Sequence, residues 1–376
     1  MRHLPLLLLA CTLTTRFCLA STINVPDDQA TIQDAINASV DGDLILVAPG
    51  LYIEFDIRFE GKGVTLRGST GSDGLPTTTI TSSGHGTIMS IGYQDIHPIV
   101  EHIVFTGTMA DTAVTTFHSD ATFMNCTFLN NTGSLGGGFY NLNGAPSFID
   151  CRFIGNTGNW GGGYACWETG QMEHPIFTRC VFDGNVGELG GGMANLRSQP
   201  TLTECVFINN QATLGAGIYN DGDSCCPQWE GNMILIDCLI EGNQASESGG
   251  GIYNATYGFP VIQGTTFMNN SAVVFGSAMA SEDDMLPAVS GSIFCANQGT
   301  PEQISGPWID DGGNVVSDDC SSECSADLDA NGSVDVDDIL TLLAAYEMNS
   351  NGDCDGDGDT DVDDLLLLIS TWGPCP

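Results

Sequence analysis

A short unit recurs through the middle of the chain and constrains its fold more than any other feature. Each copy begins with a small residue, usually Cys, places Phe or Ile two residues later, and places Asn three residues after that. The copies are spaced 25–33 residues apart and begin at Cys126, Cys151, Cys180, Cys205, Cys238, Thr265 and Ser292. A period of this length, with one short apolar segment and two turn signals per copy, indicates a solenoid.

Glycine clusters decide which kind of solenoid forms. They follow five consecutive Asn positions, at residues 136–138, 161–163, 190–192, 215–217 and 249–251. Glycine triplets would break a helix in every copy, so helical repeats are excluded. We therefore predict a parallel β-helix with rungs about 4.8 Å apart. The repeated Phe should stack internally, the Asn should form a hydrogen-bonded ladder at a tight turn, and Gly should supply backbone angles that other residues resist.

The aligned cysteines of the repeat would lie in neighbouring rungs, within disulfide range. Their Cβ vectors run parallel instead of converging, which disfavours a bond between rungs. We expect a ladder of buried thiols in preference to disulfides. The cysteines outside the ladder should pair in part in an oxidising compartment, although the sequence does not fix the connectivity.

The N-terminal part of the chain predicts the start of the solenoid. Residues Thr31–Ile36 read as a short capped helix with Ile32, Ala35 and Ile36 on one face, suited to plug the open end. The segments 31–36, 42–47 and 50–54 match, in order, "TIQ-x-AI", "GD-x-I-x-V" and "G-x-Y-x-E". In this they resemble pectin-lyase-like proteins, and the Cys/Phe/Asn/Gly unit resembles polymorphic outer-membrane-type repeats. Both resemblances imply an all-β, right-handed parallel β-helix, which we place at residues 21–318.

Two copies of a twelve-residue acidic loop occupy the end of the chain, beginning at Asp327 and Asp353. Oxygen-bearing residues fall at loop positions 1, 3, 5, 9 and 12, with Gly at position 6. This is the EF-hand spacing by which one loop wraps Ca²⁺, while position 7 offers a backbone carbonyl. The sequence therefore predicts two Ca²⁺ sites. The candidate ligands are Asp327, Asp329, Asn331, Ser333, Asp335 and Asp338 in the first loop, and Asp353, Asp355, Asp357, Asp359, Asp361 and Asp364 in the second.

Each loop leads into an apolar run, at residues 339–346 and 365–372. This loop–helix–loop–helix tail resembles a dockerin module, which implies a small α-helical domain that binds Ca²⁺ and docks a cohesin partner. The Ser-Thr pair usual in cellulosomal dockerins is replaced by Val336-Asp337 and Val362-Asp363, so attachment to another cell-surface system is equally compatible. We assign residues 324–376 to this domain and residues 319–323 to a linker.

The charge of the chain and its targeting signals limit where the protein can be located and which partners it can bind. Residues 1–20 read as a secretory signal peptide, and no later stretch is long and apolar enough to span a membrane. We therefore expect an extracellular or surface-associated protein. The formal net charge of −39 excludes nucleic acid and anionic membranes as electrostatic partners. Polyanionic substrates such as pectate or alginate would also be repelled unless Ca²⁺ bridged them.

Three groups of residues are candidate catalytic centres. Gly84-His85-Gly86 resembles a polygalacturonase segment, but the paired carboxylates and the Arg-x-Lys of those enzymes are missing. The few basic residues, which a lyase would use to abstract a proton, carry no surrounding signature. The cluster Asp95, His97, Glu101 and His102 could bring two imidazoles near carboxylates, although His on a rung is more often a surface residue.

Aromatic residues recur around the glycine turns, at Tyr140, Trp160, Tyr164, Trp167, Tyr219, Trp229, Tyr253 and Tyr257. If several faced outward they would form a sugar-stacking strip on a stiff rod. The competing interpretation is that they pack over neighbouring rungs.

The sequence as a whole favours a non-catalytic surface, adhesion or glycan-binding rod. The alternative is a polysaccharide lyase or glycoside hydrolase that is tethered by its dockerin.

Overall fold

The computed structural model describes residues 20–92, 97–167, 174–222, 232–282, 285–299, 302–318, 320, 326–329, 333–346, 350–354, 360–370 and 372–374. Within these residues the strands from Thr22 to Ser317 pair only in parallel and wind into a β-solenoid. The parallel β-helix predicted from the repeat is confirmed. Among the described residues, none of the helices combines the length and the hydrophobicity needed to cross a bilayer.

Each turn of the solenoid visits three long sheets in the same order. Sheet 1 contains Thr22–Val25, Leu44–Val47, Thr65–Arg67, Ile99–Glu101, Thr122–Met124, Ser147–Ile149, Ile176–Thr178, Thr201–Thr203, Ile234–Ile236, Val261–Gln263, Ala288–Ser290 and Ile309–Asp310. Sheet 2 contains Gly50–Ile53, Thr78–Thr81, Ile103–Thr106, Thr127–Leu129, Arg152–Ile154, Val181–Asp183, Val206–Ile208, Leu239–Glu241, Thr266–Met268, Ile293–Cys295 and Val315–Ser317.

Sheet 3 completes the turn. Its strands are Ile57–Arg58, Met89–Ile91, Val114–Phe117, Phe139–Leu142, Tyr164–Trp167, Met193–Leu196, Ile218–Asp221, Ile252–Asn254, Met279–Ser281 and Ile304–Ser305. A short sheet 4 lies between sheets 2 and 3 along the chain, with strands Gln211–Leu214, Gln244–Ser248, Ser271–Ala272 and Gln298–Gly299.

The repeated Phe side chains stack along the interior, as predicted. The ring of Phe182 lies 4.6 Å from Phe153 and 4.4 Å from Phe207, both nearly parallel. Sheet 1 adds a second stack through Phe148 and Phe177, whose ring centroids are 4.7 Å apart. These rings are fully buried, and their burial and stacking stabilise the rod.

The Asn ladder is also confirmed, and each step has the same geometry. The backbone N–H and the Nδ2 of Asn156 both donate to Oδ1 of Asn185, at 2.9 and 3.0 Å. Nδ2 of Asn156 donates in addition to the carbonyl of Phe128 at 2.8 Å. The ladder runs through Asn131, Asn156, Asn185, Asn210, Asn243, Asn270 and Asn297. It satisfies buried amides that would otherwise destabilise the corner.

The glycine clusters serve two purposes, of which the sequence predicted one. Gly190 has a φ of 70°, a conformation that favours glycine. Gly162 does not need such an angle. A Cβ there would lie 2.5 Å from the carbonyl oxygens of Gly191 and Val186, so close approach of neighbouring rungs requires glycine at this position.

The ladder cysteines Cys126, Cys151, Cys180, Cys205 and Cys238 are buried free thiols, and Thr265 and Ser292 continue their column. Within the described residues the disulfide joins Cys295 to Cys320. Six further cysteines lie outside the described residues: Cys11, Cys18, Cys225, Cys226, Cys324 and Cys375.

A short helix closes the N-terminal end, as predicted. Helix α1 spans Ile32–Ala38, is capped by Thr31, and buries Ile32, Ala35 and Ile36 against the first rungs. The Glu54 carboxylate accepts the N–H groups of Ile32 and Gln33 at 2.9 and 3.2 Å, which fixes the helix on the solenoid.

Both acidic loops lead into helices. Helix α2 spans Val336–Ala345 and helix α3 spans Val362–Ser370, and a 3-10 turn covers Ser350–Gly352. Ser333–Val334 pairs with Gly373–Pro374 in an antiparallel bridge. The small core between them contains Ala326, Val334, Leu342, Cys354 and Leu368.

Candidate functional sites

The residues weighed as catalytic centres are engaged in separate interactions. His97 pairs with Asp120 at 2.8 Å, Glu101 pairs with Arg67, and His102 contacts the Asn125 side chain at 3.0 Å. Asp95 lies outside the described residues. His85 packs against the Phe55 ring at 5.8 Å. The structure therefore brings no two of the described members together as an acid–base pair.

Four further basic side chains of the solenoid also have structural partners. Arg179 forms a bidentate pair with Asp150 at 2.7 and 3.0 Å, and Arg58 pairs with Asp56 at 2.8 Å. Lys62 donates to two carbonyls at the end of helix α1. Arg197 lies 5.2 Å from the centre of the Trp167 ring.

The aromatic residues divide between the interior and the outer face of sheet 3. Tyr164 points inward and is fully buried among the stacked Phe rings, so it does not belong to an outer strip. Trp160 and Trp167 contact each other at 4.9 Å, and Tyr257 lies beside Phe259. Trp229 lies outside the described residues. The outward strip of aromatic residues therefore contains fewer members than the sequence suggested.

One outward column of sheet 3 joins three of the predicted tyrosines. The register places Thr115, Tyr140, Ala165, Ala194, Tyr219, Tyr253, Ala280 and Ser305 at equivalent positions in successive rungs. The rings of Tyr219 and Tyr253 stack in parallel with centroids 5.9 Å apart. The next residue in the column is Ala280, whose methyl group leaves open space beside the Tyr253 ring.

That space is a groove of about 580 Å³, which we call the Tyr253 groove. Its lining residues are Ser248, Tyr253, Phe275, Ala280, Ser281, Glu282, Ser305 and Gly306. Phe275 is 50% exposed, so it adds apolar surface to the lining of the groove. An aromatic wall with hydroxyl groups and one carboxylate can stack a sugar ring and bind its hydroxyls.

Glu282 fixes the polar end of the Tyr253 groove. Its carboxylate accepts from the Tyr253 hydroxyl at 3.2 Å and from the Thr256 hydroxyl at 3.3 Å. Burial, together with the nearby Glu282 carboxylate, raises the pKa of Tyr253 to about 12. Burial also raises the pKa of Tyr219, which Asp221 and Glu282 reinforce. Sequence reasoning missed Glu282, because it lies just past a strand and belongs to no repeated motif.

The first acidic loop brings three predicted ligands together. Carboxylate oxygens of Asp327, Asp329 and Asp338 all lie within 4.8 Å of one another. Asp338 is fully buried, and its two oxygens accept the N–H groups of Asp329 at 3.2 Å and Asp335 at 2.8 Å. The predicted ligand Asn331 lies outside the described residues, and Ser333 begins the antiparallel bridge.

The second loop repeats this arrangement at its last position. Asp364 is 1% exposed, and its oxygens accept the N–H groups of Cys354 at 2.6 Å and Asp361 at 2.7 Å. Asp353 is described but does not join a carboxylate cluster among the described residues. Asp355, Asp357 and Asp359 lie outside them. Both loops therefore place one buried carboxylate at the start of a helix.

Comparison with known proteins gives partial matches. Residues 237–255 match the Chlamydia polymorphic membrane protein repeat, and this match covers part of one turn of the solenoid. No curated protein matches the chain.

Solved structures share low sequence identity with this chain. The ORF18 protein of Geobacillus virus E2 is 15% identical with a TM-score of 0.44, over 80% of this chain and 62% of that protein. An alginate lyase from Paenibacillus sp. str. FPU-7 is 13% identical with a TM-score of 0.44, over 79% of this chain and 99% of the lyase. Pectate lyase Pel9A is 12% identical with a TM-score of 0.44, over 81% of this chain and 79% of that lyase. The chain thus spans less than two thirds of the Geobacillus virus protein.

Proposed function

We propose that this protein is a secreted glycan-binding β-solenoid that is attached through a calcium-binding C-terminal module. The observation that carries the proposal is the Tyr253 groove on the outer face of sheet 3. Tyr219 supports Tyr253 from behind by ring stacking, while Ala280 leaves the opposite ring face accessible. A rigid, pre-stacked ring loses little conformational entropy when a sugar binds.

The repeat architecture supports a binding role on physical grounds. Each rung is fixed by the Asn ladder and the Phe stacks, so outward side chains keep a constant spacing of about 4.8 Å along the rod. A stiff face of this kind presents the groove without rearrangement. The cost of ordering the protein on binding is therefore small.

The residues of the C-terminal loops fit Ca²⁺. Carboxylates within 4.8 Å of one another repel by about 1 kcal/mol per pair in water, and by several-fold more when partly buried. Residues 198–376 contain no Lys, Arg or His, so no side chain of this half can neutralise them. A hard divalent cation held by Asp327, Asp329 and Asp338, and by the corresponding residues of the second loop, would supply the missing positive charge. It would fold the tail by coupling its ligands.

Helices α2 and α3 present matching apolar faces that suit attachment. Val336, Leu340 and Leu343 on α2, and Val362, Leu366 and Ile369 on α3, repeat the same spacing. All six side chains are 51–59% exposed. We propose that this face binds a cohesin-type or other cell-surface partner once Ca²⁺ orders the loops.

The proposal is tested by incubating the full calcium-loaded chain with immobilised polysaccharides of neutral, cationic and anionic classes. Retention should occur on at least one class without release of reducing ends or unsaturated uronates. Turnover of any substrate would show instead that the alternative, a tethered polysaccharide-degrading enzyme, is correct.

A further inference from the structure

The fold does not specify which glycan binds in the Tyr253 groove, but the charges around the groove favour one class of glycan. Glu282 lines the groove and holds the Tyr253 hydroxyl. The carboxylates of Glu247 and Asp221 are also close enough to act electrostatically on Tyr253. Because residues 198–376 contain no Lys, Arg or His, no cationic side chain from this half offsets these charges.

Such a groove discriminates between glycans by their charge. A uronate would bring a carboxylate towards the exposed Glu282, and like charges at short range repel even near a protein surface. A neutral sugar can stack on Tyr253 and donate hydroxyl hydrogen bonds to Glu282. A protonated amino sugar can do both and can also form a charge-assisted hydrogen bond, which is stronger than a neutral one. Its ammonium group gains further from the electron-rich face of the tyrosine ring.

We propose that the Tyr253 groove selects glycans whose sugars carry free, protonated amino groups. The inference rests on the proposed glycan-binding function and specifies its ligand. The sugar ring stacks on Tyr253 beside Ala280, and the ammonium group donates to the Glu282 carboxylate. The Ser305 hydroxyl lines the same groove and can bind a sugar hydroxyl, whereas Oγ of Ser281 accepts from Nδ2 of Asn254 at 3.2 Å.

The geometry also explains why Glu282 is the selective residue. Its two oxygens already accept from Tyr253 and Thr256, which orients the carboxylate. Each carboxylate oxygen has a second lone pair available for a donor from the ligand. A fixed anion in a groove binds a cation more tightly than a mobile surface carboxylate does, because less side-chain entropy is lost.

The test measures affinities by isothermal titration calorimetry on the full chain, loaded with Ca²⁺ and then freed of excess Ca²⁺ by gel filtration so that no free ion bridges anionic probes. The pH is about 5.5, where amino sugars are protonated and carboxylates are ionised. The probes are glucosamine hexasaccharide, N-acetylglucosamine hexasaccharide, galacturonic acid hexasaccharide and spermine. The glucosamine probe should bind at least tenfold more tightly than the acetylated probe, and the galacturonic acid probe should not bind.

Two charge-matched variants separate a specific site from general attraction to an acidic protein. Glu282→Gln should weaken glucosamine binding about tenfold, as expected for the loss of one charge-assisted hydrogen bond, and should weaken binding of the acetylated probe by a clearly smaller factor. Glu241→Gln removes the same charge from the outer face of sheet 2 and should change neither affinity.

The remaining outcomes each overturn the inference in a distinguishable way. Equal affinity for the glucosamine and acetylated probes would overturn amine selectivity but keep glycan binding. Equal losses in Glu282→Gln and Glu241→Gln, or equally tight Glu282-dependent binding of spermine, would show charge attraction alone. If no saccharide binds, the proposed function itself is wrong.

Discussion

The Tyr253 hydroxyl donates to Oε1 of Glu282, 3.2 Å away on the next turn of the solenoid. This bond joins the aromatic wall of the groove to Glu282, which is the one residue with a carboxylate among the described residues that line the groove. It forms because the parallel register places Ala280 opposite Tyr253, so Glu282 follows two residues later on the same face. The groove thus depends on one small residue in the tyrosine column.

The tyrosine of this pair should titrate late. Burial holds the pKa of Tyr253 at about 12, above the value of about 10 expected in the unfolded chain. The folded state therefore retains a proton that the unfolded state releases. The contribution of Tyr253 to the free energy of unfolding should be constant below pH 9 and should fall as the pH rises from 10 to 12. Urea denaturation at pH 9 and 11 should show a smaller fall for Tyr253→Phe than for the wild type. Equal falls would contradict the assignment.

The Asn ladder should dominate the stability of its corner. Asn185→Ala removes the acceptor for Asn156 and the donor to Asn210, and leaves buried polar groups unpaired. Each unsatisfied group costs about 1–3 kcal/mol, so we expect a loss of about 2 kcal/mol or more. Gln211→Ala, at an exposed position beside the ladder, should change stability by less than about 0.5 kcal/mol. Chemical denaturation measures both, and similar losses in the two variants would argue against the ladder.

The ladder thiols should be chemically inert in the native protein. Burial raises the pKa of the Cys151 and Cys180 thiols well above the ordinary value, so little thiolate forms. Iodoacetamide labelling followed by mass spectrometry should leave Cys126, Cys151, Cys180, Cys205 and Cys238 unmodified until denaturant is added. Rapid labelling of any of them under native conditions would show that the solenoid opens at that rung.

Calcium binding should depend on the buried carboxylate of each loop. Asp338→Asn removes an anionic oxygen from the cluster with Asp327 and Asp329, and should weaken Ca²⁺ binding to the first loop at least tenfold. Asp337→Asn changes the neighbouring exposed carboxylate and serves as the matched control. Calorimetric titration of the full chain with Ca²⁺ should show two sites in the control. Equal affinities in both variants would contradict the ligand assignment.

The interior was predictable from the sequence because the repeat determines it. A Phe or an Asn at the same place in each rung has one partner on either side, so stacks and ladders follow from the register alone. The inward position of Tyr164 was not predictable from its spacing near a glycine turn. It occupies the strand position of Phe139, and that register emerges only when the rungs are aligned.

The Tyr253 groove could not be predicted from the sequence for a similar reason. Tyr219 and Tyr253 were identified as aromatic candidates, but Ala280 and Glu282 carry no motif. Their importance comes from three-dimensional register, since a small residue beside a ring creates space that composition does not reveal. The calcium loops were easier to identify, because their ligands lie within twelve consecutive residues of the chain.

The most direct test of glycan binding compares two tyrosines from one column of sheet 3. Tyr253→Ala removes the wall of the groove, while Tyr140→Ala removes an equivalent tyrosine that does not line it. On the polysaccharide fragment that binds the wild type best, Tyr253→Ala should raise the calorimetric Kd by about two- to tenfold, since stacking contributes about 0.5–1.5 kcal/mol. Tyr140→Ala should leave the Kd unchanged. An unchanged Kd in Tyr253→Ala, or an equal rise in both variants, would contradict glycan binding in this groove.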